Sequence, residues 1–140
     1  MTRITEQEFA RIVARQGKPE RAATLPAPTE QQEQEAVIQW AQANIERLPG
    51  IELLFHVPNE NAHRKVRQGV AAGVPDLCLP VARGGWHGMW IELKRADHSN
   101  GPSPAQLAWL ERLQCEGHYC ALCYGADEAI AAIERYLEMA

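Results

Sequence analysis

Apolar positions along this chain change period several times. Over residues 29–45, Gln34, Val37, Ile38, Ala41 and Ile45 recur at three- and four-residue steps, the spacing of one helix face. Thr29 is placed to cap that helix, Glu30 stands at the start of its inward stripe, and Pro49-Gly50 stops it. Residues 51–57 then make a short apolar run. Two more runs, 76–81 and 89–94, flank the turn Ala82-Arg83-Gly84-Gly85, so all three read as strands. Ser103 and Pro104 form a cap and first-turn pair for a helix reaching Cys115, with Leu107, Leu110 and Leu113 inward and Gly117 ending it. A strand from His118 and a helix over 127–138 complete the order αβββαβ plus a C-terminal helix. That order predicts an α/β fold with a central sheet flanked by helices.

Composition changes near residue 28. Residues 1–28 hold five basic and three acidic side chains, and the stretch 18–28 contains three prolines without apolar periodicity. We read 1–28 as an arm and linker, with a short helix over 5–16 presenting Phe9, Ile12 and Val13, and 29–140 as the single domain. The 140 residues suffice for one core and not for two. Residues 59–73 are polar and basic, as suits a surface connection. No stretch has the length and apolarity of a membrane span or a signal peptide, so the expected location is the cytoplasm. There, Cys78, Cys115, Cys120 and Cys123 are thiols rather than a disulfide framework. Cys120 and Cys123 form a CxxC, a prompt for zinc or redox chemistry, but on a strand residues three apart face opposite sides, which favours buried thiols.

Chemistry converges on the middle strands. Asp76 follows Gly73-Val74-Pro75 at a strand mouth, while Glu92 and Lys94 share one face of the next strand and Ile91 and Leu93 point the other way. If those strands are hairpin neighbours, the two carboxylates approach each other and need a proton or a cation between them. Their oxygen donors suit Mg²⁺ or Mn²⁺, with the Leu93 carbonyl as a further ligand. Lys94 would orient or deprotonate an attacking water and counter the charge that builds on phosphorus. Taken alone, Glu92 and Lys94 read as an exposed ion-pair ladder; the whole string in its strand context favours the chemical reading.

That string resembles the PD-(D/E)xK nucleases and, within them, the VRR-NUC domains. Matching residues are Glu30-x-x-x-Gln34, Pro58-Asn59-Glu60, Gly73-Val74-Pro75-Asp76-Leu77 and Ile91-Glu92-Leu93-Lys94. The likeness continues through Ser103-Pro104-x-Gln106, Trp109-Leu110-x-x-Leu113, Gly117-His118-Tyr119 and Asp127-Glu128-Ala129-Ile130, covering about residues 29 to 138. The resemblance implies a restriction-endonuclease-like core with a mixed sheet and a metal-dependent DNA phosphodiesterase. Asp76, Glu92 and Lys94 would be its catalytic core, Gln106 would belong to the same cleft, and Glu30, Asp76, Glu92 and Leu93 would hold the metal. Glu33, one turn on from Glu30, is the alternative first-helix carboxylate. Small members resemble archaeal junction resolvases, which implies a homodimer acting on branched DNA such as four-way (Holliday) junctions, of bacterial or phage origin.

With 14 Lys and Arg against 18 Asp and Glu, the net charge of −4 requires a local basic surface for a polyanion. His63, Arg64, Lys65 and Arg67 form one basic cluster and Arg83, Lys94, Arg95 and His98 another, both expected beside the carboxylates. A solvated charged loop is an equal reading of the first. Trp86 and Trp90 read as packing rather than base-stacking residues, and Trp40 and Trp109 as core. The alternatives to a nuclease are a non-cleaving DNA-binding or scaffolding protein on the same fold and, more remotely, an interaction domain without nucleic acid.

Overall fold

Gln7, residues 26–58 and residues 72–140 are described by the structure, a computed structural model. Helix α1 spans Glu30–Ala43 and starts where expected, because Thr29 and Gln32 close a reciprocal capping box: each side chain bonds the other's backbone N–H. It ends before Ile45. The Asn44 amide turns back to the Trp40 carbonyl at 2.7 Å, and Ile45, expected inward, lies outside the helix and is exposed. Val37 and Ala41 are the buried stripe, with Ile38 and Trp40 packed against its margin.

The first expected strand is only half strand. Gly50 adopts φ +99°, and the next residues close a 3₁₀ turn over Ile51–Leu53, with the Leu53 and Leu54 N–H groups donating back to the Gly50 and Ile51 carbonyls. This buries Ile51 and leaves the two-residue strand β1, Phe55–His56. Strand β2 is Leu77–Leu79, shorter than the apolar run because Pro80 has no N–H to continue the ladder. Strand β3 is Met89–Lys94. Between them Arg83 and Trp86 exchange backbone bonds around Gly84 and Gly85, both at positive φ, as a tight hairpin turn requires.

Helix α2, Pro104–Cys115, repeats the reciprocal box with Ser103 and Gln106. It terminates at Gly117, whose φ of +90° lets the Gly117 and His118 N–H groups reach the Gln114 and Leu113 carbonyls. Strand β4, Tyr119–Tyr124, and helix α3, Ala126–Leu137, close the chain. Among the described residues the sheet runs β1-β2-β3-β4, antiparallel except for the parallel β3–β4 pair. The mixed α/β architecture flanked by helices matches the sequence expectation.

Side-chain alternation divides the sheet into two faces. Leu77, Leu79, Met89, Ile91, Leu93 and Cys123 join Val37, Ala41, Ala129, Ile133 and Tyr136 in one core beneath α1 and α3. Each such buried aliphatic side chain contributes about 1.5–3 kcal/mol relative to exposure. Cys78, Trp90, Glu92, Lys94, Cys120 and Leu122 occupy the opposite face, where α2 brings Leu110. Cys120 and Cys123 therefore point apart, both buried, and burial pushes each thiol up to about 12, so they are packing groups. The helix expected over 5–16 and the basic residues His63, Arg64, Lys65 and Arg67 lie outside the described residues, apart from Gln7, which is helical.

Candidate active site

The site forms where β2 begins and β3 ends. Leu77 pairs with Ile91, and continuing that antiparallel register by two residues sets Pro75 opposite Leu93. Proline has no N–H to offer. The Leu93 N–H is taken instead by Asp76, whose Oδ2 accepts it at 2.7 Å, and this draws the carboxylate across the mouth of the hairpin. The Leu93 carbonyl points to the same edge as its N–H, where Pro75 supplies no donor. Gly73 leads into this corner at φ +93°; a Cβ there would come within 2.8 Å of the Ala105 backbone, so glycine lets the first turn of α2 pack against the Asp76 loop.

Glu92 and Lys94 emerge on the polar face, as alternation requires, and both are buried. Asp76 and Glu92 lie within hydrogen-bonding reach of each other, and Lys94 Nζ stands 3.5 Å from Glu92 Oε1. Burial, reinforced by the Asp76 charge, pushes the Glu92 carboxyl up to about 9. Burial also raises Asp76, against the lowering effect of the Leu93 N–H. Both Glu92 oxygens are enclosed and accept no well-formed hydrogen bond, with the Lys94 ammonium as their charged neighbour. A carboxylate in that state needs a proton or a cation. Two neighbouring carboxyl groups fit a hard divalent ion, since such ions take oxygen ligands and keep part of their shell for water or phosphate oxygens.

The remaining expected residues divide. Glu30 reaches the site from α1, but its Oε1 lies 3.4 Å from Lys94 Nζ and accepts the Asn100 side-chain amide at 2.5 Å. Among the described residues no group of three or more His, Cys, Asp or Glu side chains is gathered to hold a metal, though the Glu30 charge is near enough to Asp76 to raise that carboxyl. Glu33 is buried elsewhere: its carboxylate accepts the Ala126 N–H and supplies the cap that Gly125, lacking a side chain, does not. Gln106 follows Ala105, whose backbone packs against Gly73, and its Oε1 accepts the Ser103 N–H at 2.8 Å; its visible role is to cap α2. Arg95 flanks the site and bonds the Ala27 carbonyl at 3.3 Å and Asp97 at 3.5 Å.

Arg83 is not beside the carboxylates. It lies in the turn joining the opposite ends of β2 and β3, near the C-terminus, where Gly84 donates to Ala140 and the Tyr136 hydroxyl to Val81. The two strands are antiparallel, so the turn that connects them is necessarily remote from Asp76 and Lys94. Asn100 went unrecognised in the sequence. Its run, Asp97-His98-Ser99-Asn100, reads as an ordinary turn, and its contact to Glu30 spans 70 positions.

A mixed sheet between helices, with Pro75-Asp76 opening one hairpin strand and Glu92-Leu93-Lys94 closing the other, defines the PD-(D/E)xK class of nuclease folds. The chain matches the family profile of the VRR-NUC domain over residues 15–127. It is also similar to a solved structure described as a VRR_NUC domain protein, at 32% sequence identity and a TM-score of 0.68, over 82% of this chain and 93% of that one. No curated protein matches it. The chain belongs to the VRR-NUC domain family and is a nuclease-family protein.

Proposed function

We propose that this protein is a Mg²⁺- or Mn²⁺-dependent endodeoxyribonuclease that hydrolyses phosphodiester bonds in branched DNA, four-way junctions foremost, and works as a homodimer. The observation that carries the reading is the Glu92 carboxyl, buried beside Asp76 with neither oxygen in a well-formed hydrogen bond and the Lys94 ammonium 3.5 Å away. A surface built only to bind DNA gains nothing from an acidic pair facing phosphates. Asp76 and Glu92, with the Leu93 carbonyl and Glu30 from α1, would hold the ion. When bound, it supplies a water of lowered pKa and a counter-charge for phosphate oxygens.

The protein's own groups do the rest. Asp76 is held across the hairpin by the Leu93 N–H, so its carboxylate is oriented before a substrate arrives. Lys94 stands beside Glu92 with its ammonium inside the protein, placed to orient the attacking water and to offset charge on phosphorus. Arg95, at the strand end, and the cluster His63, Arg64, Lys65 and Arg67 are the phosphate contacts in this reading; Arg83, at the other end of the hairpin, is not. A four-way junction has two-fold symmetry, and a C2 dimer presents two identical sites to it at one spacing.

The test is a nicking assay on labelled linear, flap and four-way DNA, in EDTA and with Mg²⁺ or Mn²⁺ added, with light scattering on the same sample. We expect metal-dependent nicking, greatest on the four-way substrate, by a dimer, and no nicking by a folded Asp76→Ala variant. Metal-dependent cleavage retained by that variant would reject the site. Junction binding in EDTA without cleavage on adding metal would replace the enzyme with a DNA-binding protein.

A further inference from the structure

Resting on that reading, we propose that Asn100 is the positioning residue for Glu30: it fastens one oxygen of that carboxylate and leaves the other to the metal. Glu30 begins α1 and its side chain is 35% exposed, so unaided it would sample several rotamers in water. The negative charges of Asp76 and Glu92 would favour the outward ones. Two groups oppose that. Glu30 Oε1 accepts the Asn100 side-chain amide at 2.5 Å and lies 3.4 Å from Lys94 Nζ, which stands 3.5 Å from Glu92 Oε1 on its other side. Both contacts fall on Oε1, and Oε2 takes part in neither. The carboxylate so held is close enough to Asp76 for its charge to be felt there.

The chemistry of the donor suits the task. An amide donates without adding positive charge, so it fixes the direction of a carboxylate and leaves its attraction for a cation intact. Carboxylates that hold metals are commonly oriented by such outer partners. The loop that presents Asn100 is itself built. Asp97 Oδ1 accepts the Ser99 N–H at 2.9 Å, and the His98 N–H reaches back to the Arg95 carbonyl at 3.1 Å. His98 adopts φ +57°, a left-handed conformation that is uncommon outside glycine and persists where surroundings hold it. Here the imidazole stacks on Tyr124 with ring centroids 3.9 Å apart and planes within 10°. Tyr124 is the register partner of Lys94, and the Gly125 N–H after it donates to the Lys94 carbonyl at 2.8 Å. Asn100 is thereby anchored on the strand pair that carries the site, and through it the turn of α1 that carries Glu30.

The experiment compares the full-length wild type with Asn100→Ala, Glu30→Ala and the double variant, once melting temperatures show that all four fold. Three quantities are measured: the Asn100 side-chain amide resonances in EDTA by nuclear magnetic resonance; the Mn²⁺ dissociation constant by electron paramagnetic resonance; and kcat and KM on a four-way junction as Mn²⁺ is raised. In EDTA the Asn100 amide protons should stand apart from those of solvent-exposed amides, and Glu30→Ala should bring them back. Asn100→Ala should weaken Mn²⁺ binding about tenfold, the usual cost of losing an outer partner, and Glu30→Ala at least as much. The double variant should bind no more weakly than Glu30→Ala, because Asn100 acts through Glu30. Raising Mn²⁺ should restore kcat to Asn100→Ala, with KM for the junction unchanged throughout.

Mn²⁺ binding weakened by Glu30→Ala and untouched by Asn100→Ala would overturn the positioning role and leave Glu30 in the site. Losses that simply multiply in the double variant would overturn it too, as would Asn100 resonances indifferent to Glu30→Ala. A raised KM in Asn100→Ala with the Mn²⁺ constant unmoved would make Asn100 a substrate contact instead. A wild-type chain that binds Mn²⁺ and cuts no DNA would overturn the nuclease reading alone, since the resonances and Mn²⁺ constants decide the part of Asn100 without cleavage. A wild-type chain that binds no Mn²⁺ would overturn both.

Discussion

The two faces of β3 solve opposite problems with alternating residues of one strand. Met89, Ile91 and Leu93 point into the core under α1 and α3, where their fit to Val37, Ile133 and Tyr136 holds the fold together. Glu92 and Lys94 point the other way and are just as inaccessible, but burial there opposes folding, since a carboxyl and an ammonium group are both taken out of water. One face is arranged for stability. The other retains a destabilising arrangement that makes sense only if something binds it.

The comparison breaks most visibly if Glu92 and Ile91 are replaced in turn. Glu92→Gln keeps the shape of the protonated side chain and should leave the protein about as stable as wild type in EDTA near neutral pH, while nicking falls by about 10²–10³-fold or below detection. Ile91→Ala, one residue away, should cost about 2–5 kcal/mol in urea unfolding and leave the rate per folded molecule near normal. A Glu92→Gln protein that unfolds readily, or an Ile91→Ala protein that is stable and inactive, would contradict the division.

Smaller in effect is the dependence on pH, which belongs to the polar face alone. Burial pushes Glu92 up from 4.5 to about 9, and Asp76 is raised as well. Between those limits the unfolded chain has released the Glu92 proton and the folded chain retains it. Stability in EDTA should therefore fall as pH rises from about 5 to 9 and level off beyond. Saturating Mn²⁺ binds the ionised form and should flatten that slope. Thermal melts across the range, with and without the ion, measure both. A slope of opposite sign would show that Glu92 does not keep its proton on folding, and one indifferent to Mn²⁺ that the acidic pair holds no metal.

The smallest change comes from Glu33, a buried carboxylate that has its donor. Glu33→Gln keeps the shape and loses the charge on the first N–H of α3; it should lower stability by about 1 kcal/mol, with nicking little altered. Loss of nicking equal to that of Asp76→Ala would place Glu33, after all, in the chemistry.

Local pattern alone made much of this molecule legible. Helical and strand periods, two capping boxes and the Gly-Gly turn identify the elements and their order, and alternation along β3 puts Glu92 and Lys94 on a common face. Such signals work because they act over a few residues, where backbone geometry leaves little choice. The end of α1 and the 3₁₀ turn at Ile51 escaped because Ile45 and Ile51 look equally apolar, and packing chose between them.

Tertiary structure decided the division of labour between Glu30 and Glu33, which a modest rotation of α1 would exchange. It also decided the remoteness of Arg83 and the arrival of Asn100. The contacts responsible join residues 64, 93 and 70 positions apart, between Glu30 and Lys94, Glu33 and Ala126, and Glu30 and Asn100. The reason is that helix rotation and loop path are set by how whole faces pack, and a side chain's nearest residues in sequence carry no record of them.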